Sequence, residues 1–456
     1  MKRRLMLGAC AALLAGCRIP VQPPPQTTLS VPPAWRGQAG PGASVERDWW
    51  RAFADPALDR LVAQALERNN DVRTAQARLQ EYRARVQVAR AVEAPTLSVG
   101  FTPTRARVIG PFGTPIDTTS MQGAFQAAYE LDPFGRTASL TEASRLDYAA
   151  QQAAAEATAL SVAANTASGY LNLRGLDAQL ELARATLASR QRSLDLARRQ
   201  FEVGYSSRLE LSQAEAEYRA TAAVVPQLER AIAQQENALD ILAGANPGPV
   251  GRGTALVRLN APAIQPGLPS ELLRRRPDIA SAERALAAAD ASLAAARDQM
   301  LPSLRLTASL GAYANDLPTL LSSPTRLWSV GGSVLAPLFD AGRLRAQAEI
   351  SASLRDRAVF AYEAAVRNAF ADTENALAAV QRLREQLDEV EARRVATSEV
   401  LRIAHNRYRN GYSSYLEELD AQRNAFAAEN AALQLRAAWL QAHVDLYRAL
   451  GGGWHQ

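Results

Sequence analysis

The sequence has 456 residues, of which 48% are hydrophobic and 21% are charged, and its formal net charge is +5. This length allows two or three ordinary domains or one long repetitive architecture. Basic residues alternate with acidic residues along the helical stretches and do not form a basic stripe, so composition excludes nucleic-acid binding as the main function.

The N-terminus has the pattern of a bacterial lipoprotein signal. Residues 2–4 are basic, and the apolar run at 5–15 is shorter than the about 20 residues of a membrane-spanning helix. The run ends in Leu-Ala-Gly-Cys, which resembles a lipobox, where a peptidase cuts before the cysteine and the cysteine is acylated. We predict a signal peptide over residues 1–16 and a covalent diacylglycerol and N-acyl chain on Cys17, with an ordinary cleavage site as the alternative. Arg18 stands where inner-membrane lipoproteins usually carry Asp, so we expect a lipid-anchored protein of the cell outer membrane that extends into the periplasm.

The mature chain offers little chemistry for catalysis or metal binding. Cys10 falls in the signal and Cys17 would be lipidated, so no thiol remains for a disulfide, a metal site or a nucleophile. His405, His443 and His455 lack metal-ligand spacing with a second histidine or a cysteine. We therefore predict no enzyme activity, no catalytic residue, no metal site and no cofactor besides the acyl chains.

The predicted signal is followed by a tether and then by an internal sequence repeat. Residues 17–48 are rich in Pro, Gly, Gln and Thr, which predicts a lipidated tether or an extended wrap and not part of a core. Shifted by 207 residues, the remaining sequence falls on itself without a change of register, which predicts repeat 1 at 49–250 and repeat 2 at 251–456. Matching pairs include Asp71-Val72 with Asp278-Ile279, Pro95 with Pro302, Gly135-Arg136 with Gly342-Arg343, and Gly204-Tyr205-Ser206-Ser207 with Gly411-Tyr412-Ser413-Ser414.

Each repeat reads as a helix, two strands, a long helix, a tight turn and a second long helix. Arg136 to Val203 contains no proline and would form a helix of about 100 Å at about 1.5 Å per residue. Apolar residues recur every seven positions, which predicts coiled-coil hairpins with tips at 204–207 and 411–414. Such helices are longer than the diameter of a compact domain, so we expect them to form an extended tube or rod. The heptad positions are Leu173, Leu180, Leu187, Leu194 and Phe201 in repeat 1 and Val380, Leu387, Leu401 and Tyr408 in repeat 2.

Alternation of apolar with small or polar residues predicts four strands. Each has about the ten residues that a tilted strand needs to cross the apolar layer of a membrane, although a half-buried sheet of a soluble domain would show the same alternation. Ile109 to Asp117 and Asn315 to Pro324 are the predicted connecting loops. Trp49, Trp50 and Trp328 fit either a lipid interface or packing inside the protein. The strands lie at about 96–108, 120–131, 303–313 and 327–337.

Four strands cannot close a barrel by themselves. An open sheet in lipid leaves backbone groups unpaired at a cost of several kcal/mol each, so several copies of the chain would have to complete the barrel. A dimer would give eight strands, whose interior is filled by side chains, so conduction favours a trimer with twelve strands.

Three stretches of the second repeat and the C-terminus carry a family resemblance: Leu268–Ile279, Pro337–Gly342 and Leu446–Trp454. Together they resemble the TolC-like outer-membrane factor family, specifically the lipoprotein branch (OprM-like, NodT-type) that serves resistance-nodulation-division (RND) efflux pumps. The resemblance extends from the lipobox to the C-terminus. It implies an α+β membrane protein, in which a homotrimer forms a twelve-stranded outer-membrane β-barrel that is continuous with a long α-helical periplasmic barrel closed at its tip.

The resemblance also implies a function. The chain would be the outer-membrane channel subunit of a tripartite efflux system, passively conducting drugs or other small molecules. Its partners would be a periplasmic adaptor (membrane fusion protein), an inner-membrane RND-type transporter and outer-membrane lipid, with no nucleic acid. A duct for type I secretion or metal-ion efflux stays open, as does, in a different class, a periplasmic adaptor lipoprotein. An adaptor has one hairpin and a small β domain, whereas this sequence repeats its strand pair and its hairpin. The sequence does not indicate the cargo.

The helical tips are the predicted mechanistic site. Ser207 with Glu210 and Ser414 with Glu417 each fit a capping box, in which the serine and the glutamate satisfy each other's backbone amides. In the family that the chain resembles, the turns bind the adaptor and acidic residues just beyond them narrow the pore. Whether Glu210 and Glu417 gate the pore or only cap helices stays open. The resemblance gives as adaptor-contact candidates Val203, Gly204, Tyr205, Gly411, Tyr412 and Ser413, and as pore-gate candidates Leu416, Asp420, Glu417 and Glu210.

Overall fold

The computed structural model describes residues 23–36, 46–262 and 264–454. The predicted signal peptide, the lipidation site Cys17 and His455 lie outside the described residues. The described chain forms two compact units, one from the ranges 23–28, 79–151 and 281–363, and the other from 29–36, 46–78, 152–280 and 364–454. Because each unit takes segments from both halves of the sequence, the two repeats are not two separately folded domains.

The helix order of the first half of the chain recurs in the second half, which has one additional short helix between its two strands. Across the described residues, no helix combines the length and the hydropathy that crossing a bilayer requires. Short 3₁₀ helices lie at Trp49–Phe53 and Leu256–Arg258. The α-helices are α1 (Pro56–Arg68), α2 (Asn70–Val92), α3 (Arg136–Glu202), α4 (Arg208–Leu242), α5 (Pro269–Arg275), α6 (Pro277–Asp298), α7 (Leu317–Ser322), α8 (Arg343–Arg409) and α9 (Tyr415–Ala449).

The long helices have equal lengths in the two halves. Helices α3 and α8 have 67 residues each, and α4 and α9 have 35 each. These helices are rich in alanine and in residues with long unbranched side chains, which have high helix propensity, and a glycine ends the first helix of each pair. Gly204 and Gly411 adopt left-handed backbone angles, with φ of 76° and 77°. The amide of the next residue donates to the carbonyl five positions back, Tyr205 to Gln200 at 2.7 Å and Tyr412 to Arg407 at 2.9 Å, as in a Schellman motif.

The strands form one antiparallel sheet in the order β1 (Thr96–Ile109), β2 (Pro115–Leu131), β3 (Ser303–Ala314) and β4 (Thr325–Leu335). The pairing of β2 with β3 joins the first half of the chain to the second, with Phe125 opposite Leu310. Strands β1 and β4 are therefore the two edges of the sheet within this chain.

Two predictions about the strand connections are wrong. Strand β2 begins at Pro115, because the ladder continues up to the pair Ile109–Pro115 and leaves only a tight turn, in which Gly113 has a φ of 79°. The second connection contains the helix α7, which Asp316 caps by accepting the amide of Thr319 at 2.8 Å. Strand β4 consequently begins at Thr325, two residues before the predicted start.

In the described part of the tether, residues 23–36 and 46–48, there is no helix or strand, but Trp35 corrects the prediction that the tether adds nothing to a core. In the first unit, the carbonyl of Pro23 accepts a hydrogen bond from Arg355. In the second unit, Trp35 is buried, its indole Nε1 donates to the carbonyl of Gly267 at 2.9 Å, and its ring lies edge-on to Phe370. An indole supplies enough apolar surface to order an otherwise polar segment.

For Trp49, Trp50 and Trp328, the sequence allowed either packing inside the protein or a lipid interface. Trp49 and Trp50 are buried, and Trp49 stacks on Tyr447 with ring centroids 5.1 Å apart. Trp328 lies on β4 and is 76% exposed.

A buried carboxylate organises the second unit. Asp55 is fully buried and caps α1 by accepting the amides of Ala57 and Leu58. It also accepts the hydroxyl of Tyr170 at 2.9 Å and the amide of Thr254 at 3.0 Å. Gly253 donates its amide to the Tyr170 hydroxyl at 2.9 Å. One carboxylate thereby connects α1, α3 and the segment before Leu256.

Substitution Tyr170→Phe should lower the thermal unfolding midpoint of the helical circular dichroism signal. The ring would stay, but the amide of Gly253 would lose its acceptor and the buried Asp55 carboxylate would lose one donor, at a cost of about 1–3 kcal/mol. The matched control is Tyr412→Phe, whose ring is 78% exposed. Equal midpoints for Tyr170→Phe and the unsubstituted protein would contradict the structural role of this hydroxyl.

Candidate functional site: the strand sheet and the helical tips

The sheet has one apolar and one polar face. Residues two apart on a strand point to the same side, and residues paired across strands share a face. The pairs Val99–Phe125, Phe125–Leu310 and Leu310–Trp328 therefore make a continuous apolar row across all four strands. The opposite face carries Ser98, Gln126, Ser309 and Ser329 in the row between, and the last two hydroxyls lie 2.8 Å apart.

No described residue of the chain covers the apolar face. Val99, Trp328 and Val330 are each more than 70% exposed. From Leu304 to Ala314 on β3 the face extends for about 34 Å along the strand at about 3.4 Å per residue. A tilt of about 40° would reduce this to about 26 Å, close to the about 25 Å apolar band of outer-membrane barrels. An exposed apolar surface of this size is typical of contact with a membrane or with another chain.

The two tip turns expose the residues that the sequence predicted for adaptor contact. Val203, Tyr205 and Tyr412 have side chains almost four-fifths exposed. Ser413 is half-buried, and its hydroxyl oxygen has no hydrogen-bond partner within the described part of the chain. The turns thus present apolar and aromatic groups held by left-handed glycines.

The two predicted capping boxes are not equal. Ser207 accepts the amide of Glu210 through its Oγ at 3.2 Å, as a capping serine does. The prediction is wrong for Ser414, which holds the capping position but makes no side-chain capping bond in the described structure. The amide of Glu417 instead donates to the carbonyl of Ser414 at 3.2 Å, and the Glu417 carboxylate pairs with Arg407 at 3.2 Å. Both halves of the capping box are therefore engaged elsewhere.

The gate candidates of α9 lie on one exposed face of the helix. Leu416 and Asp420 are four residues apart, so their side chains are neighbours, and both are exposed. Asp420 accepts a hydrogen bond from Asn424 at 3.1 Å. Glu210 is half-buried at the start of α4. Burial and the carboxylates of Glu210 and Glu418 raise the pKa of Tyr408 to about 12, so this tyrosine stays protonated and donates to Gln200 at 3.2 Å.

Sequence reasoning missed a group of polar residues behind the tips, two of which, Arg190 and Glu418, are buried, and we call this group the tip cluster. Its members come from α3, α4, α8 and α9, so it connects both hairpins of the chain. Arg190 lies at a heptad position between Leu187 and Leu194, a position that is normally apolar, and this irregularity was the available signal. The tip cluster consists of Arg190, Glu217, His405, Glu418, Gln422 and Arg423.

The tip cluster is held by buried charges. The Arg190 side chain is only 4% exposed, donates to Gln422 and lies 3.7 Å from a Glu217 carboxylate oxygen. Burial lowers the pKa of the Arg190 guanidinium, and Glu217 opposes this shift. The buried Glu418 carboxylate lies 2.8 Å from His405 Nδ1 and accepts Gln422 at 2.9 Å. A polar contact at a coiled-coil core position fixes the register of the helices and lowers their stability.

Removing the buried guanidinium should destabilise the hairpins far more than removing an exposed one. Arg190→Ala would remove the donor to Gln422 and one of the two guanidinium groups beside Glu217, at a cost of about 1.5–3 kcal/mol, because hydrogen bonds to a charged group are lost. Arg184→Ala on the same helix removes an exposed ion pair with Glu229 and should cost about 0–1 kcal/mol. Denaturation midpoints from circular dichroism in detergent compare the two variants. Similar shifts for both would show that the tip cluster does not hold the helices.

Comparisons with known proteins agree with this geometry. The family model described as outer membrane efflux protein matches residues 61–245 and 268–452, and the second range starts and ends 207 residues after the first. The probable efflux pump outer membrane protein TtgC of Pseudomonas putida is 34% identical and covers 100% of this chain and 96% of its own length. The cation efflux system protein CusC of Escherichia coli is 32% identical over 99% of both chains.

Solved structures give the same result. The open state of the Neisseria gonorrhoeae MtrE outer membrane channel superposes with a TM-score of 0.86 at 33% identity, covering 95% of this chain and 98% of that chain. The resemblance inferred from the sequence motifs is thereby confirmed. The chain belongs to the outer membrane efflux protein family, the TolC-like channels of the outer membrane.

Proposed function

We propose that this chain is the subunit of a homotrimeric outer-membrane channel that passively conducts drugs or other small molecules out of the cell. The observation that carries the proposal is the four-stranded sheet, which has an exposed apolar face and two edges that no described strand pairs with. Backbone groups in lipid must be hydrogen-bonded, and additional copies of the chain are the simplest source of partners for β1 and β4.

Three copies fit conduction better than two. Twelve strands enclose a wider interior than eight, and in an eight-stranded barrel side chains fill the interior. The polar face, with its serine and threonine side chains, would then line the duct, and the apolar face would meet lipid. A periplasmic adaptor and an inner-membrane RND-type transporter would deliver the cargo and the energy, because the channel itself needs none to pass a solute downhill.

The membrane anchor is a further part of the proposal. Acyl chains on Cys17 would attach the N-terminus to the outer membrane, and the lipobox at residues 14–17 supports this. The described tether begins at Pro23, only a few residues after Cys17, and contacts Arg355. The anchor would therefore stay near the N-terminal part of α8, where Arg355 lies.

The tips would control access from the periplasm. The exposed Val203, Tyr205 and Tyr412 would contact the adaptor, and Leu416 and Asp420 would narrow the closed pore. Three Asp420 carboxylates near one axis would repel each other and attract cations. Glu417 suits this role less than Asp420, because its carboxylate is paired with Arg407. The cap at Ser207 uses the backbone amide of Glu210, so it assigns no role to the Glu210 carboxylate.

Metal-ion efflux remains the second candidate for the cargo, because one relative of nearly equal length is named for cation efflux.

The oligomer and the conductance can be tested together on the purified, detergent-solubilised protein. Native mass spectrometry should give three chains per particle, and the same sample should conduct ions across a planar lipid bilayer. A monomer that never conducts would contradict the proposed channel.

Widening the gate should raise the single-channel conductance. Leu416→Ala with Asp420→Ala removes both the bulk and the charge that would constrict the pore. The matched control is Val395→Ala with Glu399→Ala, an exposed apolar and acidic pair with the same spacing on α8. Conductance that is unchanged in a correctly assembled Leu416→Ala, Asp420→Ala trimer, or raised equally by the control pair, would remove the gate assignment.

A further inference from the structure

We propose that Arg105 and Arg326 bind the phosphate groups of anionic lipids in the outer leaflet, at the seam between neighbouring copies of the chain. This inference rests on the proposed trimeric barrel and names a ligand for its outer rim.

Both arginines lie on the apolar face of the sheet. Arg105 has the same parity on β1 as Val99 and Phe101, and Arg326 has the same parity on β4 as Trp328 and Val330. The register agrees, because the pairs Phe101–Gly123, Gly123–Ala312 and Ala312–Arg326 form one row across the sheet. These two cations therefore share the face that would contact lipid.

Both arginines also lie toward the same end of the sheet. One end of the sheet joins helices, since β1 follows α2 and β2 precedes α3, and the other end carries the two short connections. Arg105 lies four residues before the end of β1, and Arg326 is the second residue of β4, so both are near the short connections. With the long helices in the periplasm, this end faces the outer leaflet.

Neither guanidinium is neutralised within the described residues: no carboxylate forms an ion pair with Arg105 or Arg326 there, whereas Arg107 on the same face has Asp117 at 3.8 Å. An unpaired arginine on the lipid face is costly at the bilayer midplane and tolerated near the interface. Guanidinium groups bind phosphate through two parallel hydrogen bonds, and phosphate-bearing headgroups occupy the interface.

Closure of the barrel would bring the two residues onto adjacent strands. The strand order leaves β1 and β4 at the edges, so β4 of one copy would pair with β1 of the next. Arg326 of one copy and Arg105 of its neighbour would then lie on adjacent strands, on the same face and toward the same end of the sheet. Two unpaired cations side by side repel each other, and a phosphate between them removes the repulsion. Trp328, exposed two residues along from Arg326, is an aromatic side chain of the kind enriched at lipid interfaces.

Native mass spectrometry of the detergent-solubilised full-length protein, incubated with bisphosphorylated lipid A, tests the inference. The trimer should carry lipid A adducts, and R105Q with R326Q should weaken lipid A binding about tenfold or more, because hydrogen bonds to charged groups are lost. R305Q is the matched control, since Arg305 lies on the polar face of β3 near its helix-joined end. The same glycolipid without phosphates is the control for the ligand.

The outcomes separate this inference from the proposed function. A trimer of the double variant that binds lipid A as the unsubstituted trimer does would overturn the lipid site and leave the channel intact. Equal binding of the dephosphorylated glycolipid, or an equal loss in R305Q, would also overturn it. If the double variant does not assemble, the single variants R105Q and R326Q take its place, and the absence of any loss in both would refute the site. Failure of the unsubstituted protein to form a trimer would contradict the proposed function itself.

Discussion

The structure depends on one constraint, which is that peptide groups placed in lipid must have hydrogen-bond partners. A four-stranded sheet satisfies this constraint only at its centre, because β1 and β4 each have one edge that no other described strand pairs with. The proposed assembly of three copies would pair these edges, and the exposed apolar face would then be the surface in contact with lipid. The proposed lipid site depends on the same constraint, because Arg105 and Arg326 lie on the two edge strands that another copy of the chain would pair with.

The helical part follows a different rule, since its helices can satisfy their own backbones. What they need is a specific partner and register, and the core between them is built largely from alanine and leucine, which pack closely but distinguish poorly between registers. Buried polar groups supply the missing specificity. Asp55 and Tyr170 connect the short helices to α3, and the tip cluster connects both hairpins behind the tips. Such contacts lower stability relative to an apolar core, but they disfavour shifted arrangements.

At the tips, exposure and burial alternate along α9 within a single turn. Tyr415, Glu418 and Leu419 face the other helices, whereas Leu416 and Asp420 face outward. The residues that would narrow the pore are therefore direct neighbours, along the same helix, of residues that pack against the other helices. Under the proposed function, a movement of α9 would displace the proposed gate residues and the tip cluster together.

The sequence by itself determined the features that depend on neighbours along the chain. The 207-residue shift, the seven-residue spacing, the glycines at 204 and 411 and the strand alternation predicted the helices and strands, and short motifs identified the family. Only the tertiary structure decided which side chains meet. The Glu417 carboxylate pairs with Arg407 and not with the Ser414 amide, and Trp35 packs into a core. Helix α7 forms within a connection between strands. Arg190 donates to Gln422, which is 232 positions away in the sequence. Helix and strand preferences act within a few residues, whereas the partner of a buried polar group is set by segments that only folding brings together.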